Sequence, residues 1–352
     1  MRLSWMAAGR LAPLGFVLFV LSCTSVSAQR VIIVEENDVI AKTYNPALGF
    51  DQQHDWDYTQ GFYAAVAYDD FKKDPIAGSV YDFLSGGIMT AGAPAGAIQQ
   101  QMQVMFGQSI YTPQRDSDPV HLPGERPFGG WLYTGVSVAQ ETGRSQLDSF
   151  EIQVGAVGGS ASLWQAVQGG FHSLIGSGQP QPGNWQLANE PGIVLAWDRR
   201  WKIGYDFADG YGIDLIPGLG GAAGNVFTYG EASALLRIGR SLQTTWGPTR
   251  IRPSPSGASF FSTGPNDPAW GWDFYVGIAE RVVARNIFLD GSTFAWSPSV
   301  TKKVFVTDFM AGAEIFSQSG YKLGFSVTQR TPEYTTQSKS DLFGSIEASA
   351  RF

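Results

Sequence analysis

The chain has 352 residues, of which 16% are charged and 13% aromatic, with 43 glycines and a formal net charge of −7. Soluble proteins carry roughly 25% charged residues, so this composition points instead to lipid-facing aromatic girdles and tight turns. The negative charge and the lack of a basic run exclude a nucleic-acid partner, and a mean hydropathy of −0.07 excludes a helical membrane protein.

Residues 1–28 read as an export signal: Arg2 and Arg10 give the positive region, Leu11 to Leu21 the apolar one, and Val26-Ser27-Ala28 the cleavage site. The apolar run is too short to span a bilayer comfortably. Leu21-Ser22-Cys23 fits a lipoprotein site poorly, and cleavage after Ala28 leaves a mature chain without cysteine, hence without disulfide or thiol chemistry. Residues 29–352 show no internal repeat and no linker, so one domain is expected.

That domain alternates. A first strand ends at Glu35-Glu36-Asn37-Asp38, and period-two segments follow at Gly61–Tyr68, Met102–Ile110, Trp131–Ala139, Phe150–Ala156, Ile193–Trp201, Ala232–Ile238, Phe274–Val283, Val304–Ile315 and Tyr321–Gln329. The last strand, Leu342 to Phe352, sets Ser345, Glu347, Ser349 and Arg351 against Gly344, Ile346, Ala348 and Ala350, and ends on Phe. One face suits lipid and the other a polar lumen, as in outer-membrane barrels. The reading is an all-β, transmembrane antiparallel β-barrel of roughly ten to twelve strands. Ser109–Gly130 and Pro248–Trp272 are expected as surface loops or girdle-flanking turns.

One segment breaks the alternation. Ser160 to Gly176 reads as a short helix on which Trp164, Gln168 and His172, four apart, share a face. Ser162 with Gln165 fits a capping box and Gly176 a stop. Gly169 and Gly170 each weaken the helix by roughly 1 kcal/mol, so docking onto a surface that these glycines let it approach is expected.

Six polar strings then appear in order: Glu36-Asn37-Asp38; Tyr58-Thr59-Gln60-Gly61; Gln108-Ser109-Ile110-Tyr111-Thr112-Pro113; Glu125-Arg126-Pro127-Phe128-Gly129-Gly130-Trp131-Leu132-Tyr133; Gly155 to Gly159 leading to Gln168 and His172; and Trp185-Gln186-Leu187-Ala188-Asn189-Glu190-Pro191. In this order they resemble the outer-membrane lipid A 3′-O-deacylase family (LpxR-like). Gly224-Asn225 is a further local match. Two strings depart from the family pattern, with Glu125 in place of the common Asp and Gln60 in place of Asn or Ala.

The resemblance implies a twelve-stranded barrel in the bacterial outer membrane, acting as a monomer, with the helix of an extracellular loop covering a site in the outer leaflet. It implies hydrolysis of the ester that holds the 3′-linked acyloxyacyl chain of lipid A in lipopolysaccharide, with Ca2+ required. The positions that match the family's functional residues are Asn37, Asp38, Thr59 and His172, with Gln168 on the histidine's helix face. Arg115 and Arg126 are candidates for holding lipid A phosphates.

The residues support that chemistry in part. No G-x-S-x-G elbow is present, although Ser109 or Ser173 near a histidine leaves a Ser–His route open. The simpler scheme has His172 as general base on water, imidazole being the side chain that titrates nearest neutrality. A cation held partly by Asp38 and Asn37 would receive the developing negative charge, and oxygen donors favour Ca2+ over zinc. Thr59 and Gln168 would position water or ester, an arrangement like that of a calcium-dependent phospholipase A2. Each has a plainer reading: packing for His172 and Trp164, a strand-end turn for Asn37-Asp38, a wall residue for Thr59, loop fixing for Arg126 and a structural hydrogen-bond role for Glu190. The rival functions are a non-catalytic barrel that binds or passes small solutes, with the helix as its plug, and a barrel phospholipase.

Overall fold

The computed structural model describes residues 30–44, 56–69, 71–73, 75–85, 89, 94–96, 98–114, 124–175, 179–249, 251, 253, 259–261 and 268–351. The export signal, Arg115, His54, His121 and Phe352 lie outside them.

The alternating segments form strands β1 (Arg30–Asn37), β2 (Asp57–Tyr68), β3 (Ile98–Thr112), β4 (Gly129–Thr142), β5 (Gln146–Gly158), β6 (Glu190–Trp201), β7 (Ile203–Asp206), β8 (Tyr211–Gly224), β9 (Phe227–Arg240), β10 (Trp270–Asn286), β11 (Phe305–Ser317), β12 (Lys322–Arg330) and β13 (Asp341–Arg351). Neighbours in sequence pair antiparallel, β1 pairs with β13, and β6 pairs with β8. The sheet therefore closes on itself as a twelve-stranded barrel, with the four-residue β7 as an extra strand beside β8. Closure removes every long sheet edge, which a bilayer demands because it offers no water to unpaired backbone groups.

The strand that the sequence segments left unnamed is β8. Its Pro217 and five glycines after Tyr211 blur the alternation, yet Ile216 is buried while Leu215 and Leu219 are exposed. Period two governs the rest. Ser345, Glu347 and Ser349 turn into the barrel and Ile346 turns out.

Charged residues fill the lumen in pairs. Asp308 receives both Arg281 and Arg330 at 2.9 Å, Arg237 lies between Asp214 and Asp273, and Lys322 between Glu314 and Glu347. The β9–β10 connection, expected as a surface loop, instead enters this space. Trp246 Nε1 donates to Glu141, Thr249 donates twice to Glu347, and Gln103 donates to the Ser259 carbonyl. Trp246 and Phe260 pack with Ala139, Leu147, Ile216, Leu235 and Tyr275. Polar lumen residues need partners inside the barrel, and this segment supplies them. Among the described residues, 242–249 with Ser259 and Phe260 fill the lumen, and the histidine-bearing helix does not. Ser109–Thr112, also expected in a loop, continue β3.

Arg30 and Arg351, paired across β1 and β13, lie at one end of the barrel, together with the tight turns 143–145 and 318–321. Short turns mark the periplasmic end. The connections 38–56, 159–189, 287–304 and 331–340 are at the opposite, extracellular end.

Candidate active site

At the extracellular end of β1 the alternation separates adjacent carboxylates. Glu36 faces the lumen and accepts from the Tyr58 hydroxyl at 2.9 Å, whereas Glu35 faces outward and accepts from Gln60 Nε2 at 2.9 Å. Asn37 also faces outward, in register with Gln60. The chain then turns into α1 (Asp38–Tyr44). Asn37 Oδ1 accepts the Val39 amide at 2.8 Å, the local bond by which Asn starts a helix. Asp38 is fully buried in the helix's first turn, where its charge suits the helix dipole, and it accepts the Trp56 amide at 3.3 Å.

Next to it, β2 carries a bulge. The register with β3 slips between Tyr58 and Gln60, so Thr59 is the extra residue, and Asp57 just before it has φ 60°. Bulges re-aim side chains. Here the buried Thr59 hydroxyl lies 2.6 Å from that of Thr112 on β3. Asn37, Asp38, Thr59 and Thr112 thus meet at one corner, through the β1–β2 and β2–β3 registers.

The helical segment lies against the outside of the barrel. It starts later than expected: Ser160–Ser162 form a 3₁₀ turn, Leu163 is left-handed at φ 58°, and α2 (Trp164–Ile175) follows. No capping box forms. The Ser162 hydroxyl donates backwards to the Gly158 and Gly159 carbonyls, and Gln165 reaches across to Gln186. The left-handed residue separates Ser162 from the helix it was expected to cap. The Gly176 stop lies outside the described residues.

The shared face is observed. Trp164, Gln168 and His172 are buried, while Gln165, Ala166, Val167, Gly170 and Ser173 are exposed. Trp164 stacks on Phe128 with ring centroids 5.1 Å apart and packs with Ile110. Gln108 Nε2 donates to the Ser162 carbonyl at 2.6 Å. Gln168 Nε2 and His172 Nε2 are 2.9 Å apart. The helix glycines do not provide the close approach: nothing lies within 4 Å of a Cβ added at Gly170, and only the Gln179 side chain near one at Gly169. The glycine that admits the helix is in the wall. A Cβ at Gly130 would lie 2.5 Å from Ser162 Oγ and 2.9 Å from Trp164 Cβ.

Beside α2 is a groove of about 320 Å³ lined by Phe62, Phe106, Leu132, Leu163 and Val167, with the amides of Gln60 and Gln108. Trp164 lies over β3 and β4, and Val167 already borders β2 residues. His172 is eight residues beyond Trp164, about 12 Å along a helix. Adjacent strands are about 4.8 Å apart, so the buried stripe is long enough to reach from β3 to the Asn37–Thr59 corner on β1 and β2.

The remaining string residues build the frame. Arg126 is wholly buried, 3.1 Å from Glu333, 3.6 Å from Asp57 and 4.7 Å above the Tyr111 ring. Burial opposes its charge, but Glu333 and Asp57 more than offset that and raise its pKa. This geometry fixes loops and presents no open face to a phosphate. Glu190 accepts the Thr293 and Phe294 amides, and Asn225 bridges Glu190, Pro191 and Ile193 across the β6–β8 seam. Asn189 ties down Ser160 and Ala161, at the entry to α2. Two residues not singled out by the sequence reading, Thr112 and Gln108, touch the candidate site. Their signal was the Gln108–Pro113 string itself.

Comparison with known proteins identifies the family and the fold. The family model described as "Outer membrane protein LpxR" matches residues 14–352. Among solved structures, LpxR from Salmonella typhimurium superposes with a TM-score of 0.73 at 20% identity, covering 92% of this chain and 100% of that one. The beta domain of the Bordetella autotransporter BrkA reaches a TM-score of 0.44 at 9% identity, covering 92% and 98%. No curated protein matches the sequence.

Proposed function

The chain belongs to the LpxR family of outer-membrane proteins, and on that premise we propose that it hydrolyses the ester of the 3′-linked acyloxyacyl chain of lipid A, as a single barrel. The observation that carries this reading is the position of the candidate site. Asn37, Thr59, Gln168 and His172 belong to the outer wall and the helix against it, at the extracellular end, beside an apolar groove open to lipid. A lipid ester reaches such a site laterally. A solute passing through the lumen does not meet it, and the lumen is occupied by ion pairs, Trp246 and Ser259.

In the proposed reaction His172 takes a proton from water as the water oxygen attacks the ester carbonyl carbon. The C–O bond to the sugar then breaks, and the imidazolium returns the proton to the leaving 3′-oxygen. Gln168 holds the ring. With its amide oxygen turned toward His172 Nε2–H, the lone pair is on Nδ1, where water would donate. Thr59 and Thr112 orient the water or the ester through their hydroxyls.

The donors around this corner are all oxygens: the Asp38 carboxylate, the Asn37 amide and two threonine hydroxyls. That set fits a hard cation such as Ca2+. Among the described residues no three Asp, Glu, His or Cys side chains cluster, so backbone carbonyls and water would complete the shell. When bound by Asp38 and Asn37, Ca2+ would supply positive charge where the ester oxygen becomes negative.

The test is mass spectrometry of lipid A incubated with the refolded barrel, with Ca2+ and with chelator, and glycerophospholipid in parallel. Loss of the acyloxyacyl mass with Ca2+ alone is expected. An unchanged lipid A spectrum from a verified folded barrel overturns the deacylase reading, and cleavage in chelator overturns the Ca2+ requirement.

A further inference from the structure

The β2–β3 connection is long for a periplasmic turn and contains α3 (Pro75–Ser85). Strand parity shows where this helix is. Tyr81 and Phe71 pack with Met102 and Val138, which alternate with the lumen-facing residues Gln103 and Ala139 and so face outward. α3 is therefore outside the barrel, at its periplasmic end, on the same wall that carries α2 at the extracellular end.

The wall beneath it is unlike the rest of the rim. Around β8, β10 and β12 the outward residues at the periplasmic ends are exposed aromatics: Tyr211, Trp270 and Tyr321. Such aromatics form the interfacial girdle of a barrel. On β3 to β5 the equivalent outward positions hold a polar strip, which Arg199 extends onto β6 between Trp197 and Trp201. Gln100 donates to Gln140, Gln146 donates to Asp148, and Arg199 pairs with Asp148 at 2.7 Å. Gln140, Gln146 and Asp148 are nonetheless buried, and Gln140 also receives the Tyr81 hydroxyl at 3.0 Å. Left bare at girdle depth, this polar strip would be costly against lipid.

The helix has an apolar arc wider than its contact with the barrel. At about 100° per residue, Val80 lies roughly 100° to one side of Tyr81 and Phe83 about 160° to that same side. Asp82 lies roughly 100° to the other side, with Ser79 beyond it. Phe83 is 83% exposed, the second highest value among the large apolar side chains. Its arc is continuous with the lipid-facing belt above it, where Phe106 and Val154 are exposed.

We infer that α3 is an in-plane interfacial helix that takes the girdle's place on this wall, with Phe83 inserted among the phospholipid chains of the periplasmic leaflet and Asp82 facing the periplasm. The partner is the bilayer surface itself. An amphipathic helix whose apolar face enters the headgroup boundary binds in this way. Lys72, exposed and 4.9 Å above the Tyr81 ring, lies where an anionic headgroup would meet it.

The test uses the full chain with Cys23→Ser, which leaves no other cysteine. Phe83→Cys and, separately, Asp82→Cys carry a nitroxide label in barrels refolded into phosphatidylethanolamine–phosphatidylglycerol vesicles. Both positions are exposed, so the fold is retained, and heat-modifiable gel mobility verifies it. The label at position 83 is expected to collide several-fold more with oxygen than with a water-soluble nickel chelate, and the label at 82 to show the reverse. Preferential nickel access at 83 overturns the insertion. Equal accessibility profiles at the two positions overturn the orientation.

Discussion

The two walls of this barrel obey the same alternation and end in different surfaces. From β8 to β12 the outward residues are mainly apolar and exposed, among them Leu215, Leu219, Ile238, Phe274, Val276, Phe309 and Leu323, and no helix among the described residues packs on them. From β1 to β5 the outward residues include Asn37, Gln60, Gln108, Gln140 and Asp148, and helices lie above both ends. A lipid-facing wall needs only apolar side chains, and an isolated outward pair such as Thr307 with Glu280 satisfies itself by its own hydrogen bond. Where polar side chains gather in number, something covers or uses them, so a cluster of outward polar residues is the mark of function or of a docked element.

The comparison is broken most severely at the histidine. His172→Ala is expected to lower deacylation by about 10²–10⁴-fold, the usual worth of a general base, with gel mobility of the folded barrel unchanged. Substantial activity in that folded variant would remove His172 from the mechanism. Asp38→Asn is expected to match it at low Ca2+ and to recover partly as Ca2+ is raised.

A smaller effect is expected from the wall that seats the helix. Gly130→Leu would drive a side chain into Ser162 and Trp164. Displacing α2 by about an ångström costs on the order of 10²-fold in activity. On the bare wall, Gly230 has no atom within 4 Å of a Cβ, and Gly230→Leu should leave activity intact and stability within about 0.5 kcal/mol. Equal effects at the two glycines would mean that the helix is not seated through Gly130.

Arg126→Ala should act on stability more than on catalysis. It removes the cation beside buried Asp57 and leaves Glu333 only Arg330, 4.0 Å away, which costs about 3–5 kcal/mol, read by denaturant unfolding or by protease nicking of the extracellular loops. A change confined to KM for lipid A, with stability unchanged, would return Arg126 to the phosphate-contact role expected from the sequence.

Much of this was legible in the chain. The terminal strand from Asp341 showed its two faces residue by residue, and Trp164, Gln168 and His172 read correctly as one buried helix face. What failed did so for identifiable reasons. Ser162 fits a capping box by spacing, but the left-handed Leu163 turns it away, and a backbone reversal of this kind leaves little trace in composition. The closeness of the helix was credited to Gly169 and Gly170 because they lie in it, whereas the partner surface determines which glycine matters. Residues 248–272 read as a surface loop or girdle-flanking turn because Pro, Ser and Gly dominate them, whereas Thr249 and Ser259 reach inward to Glu347 and Gln103. Of the six strings, most residues turn out to build the frame around α2 and the barrel seam.

Period two is a local property, since each strand carries its own inward and outward faces and needs no neighbour to declare them. The sequence by itself therefore determined a barrel with a polar lumen and one exceptional helix. Which outward residues meet is not local. Asn37 stands beside Gln60, and Thr59 beside Thr112, because ladders join β1, β2 and β3 in one register with one bulge. A shift of a single residue would turn each of those side chains to the opposite face. The pairing of Thr59 with Thr112 beside Asn37, and the seat of the helix stripe on β3 and β4, were decided by tertiary structure, through hydrogen-bond register and a glycine on the facing strand.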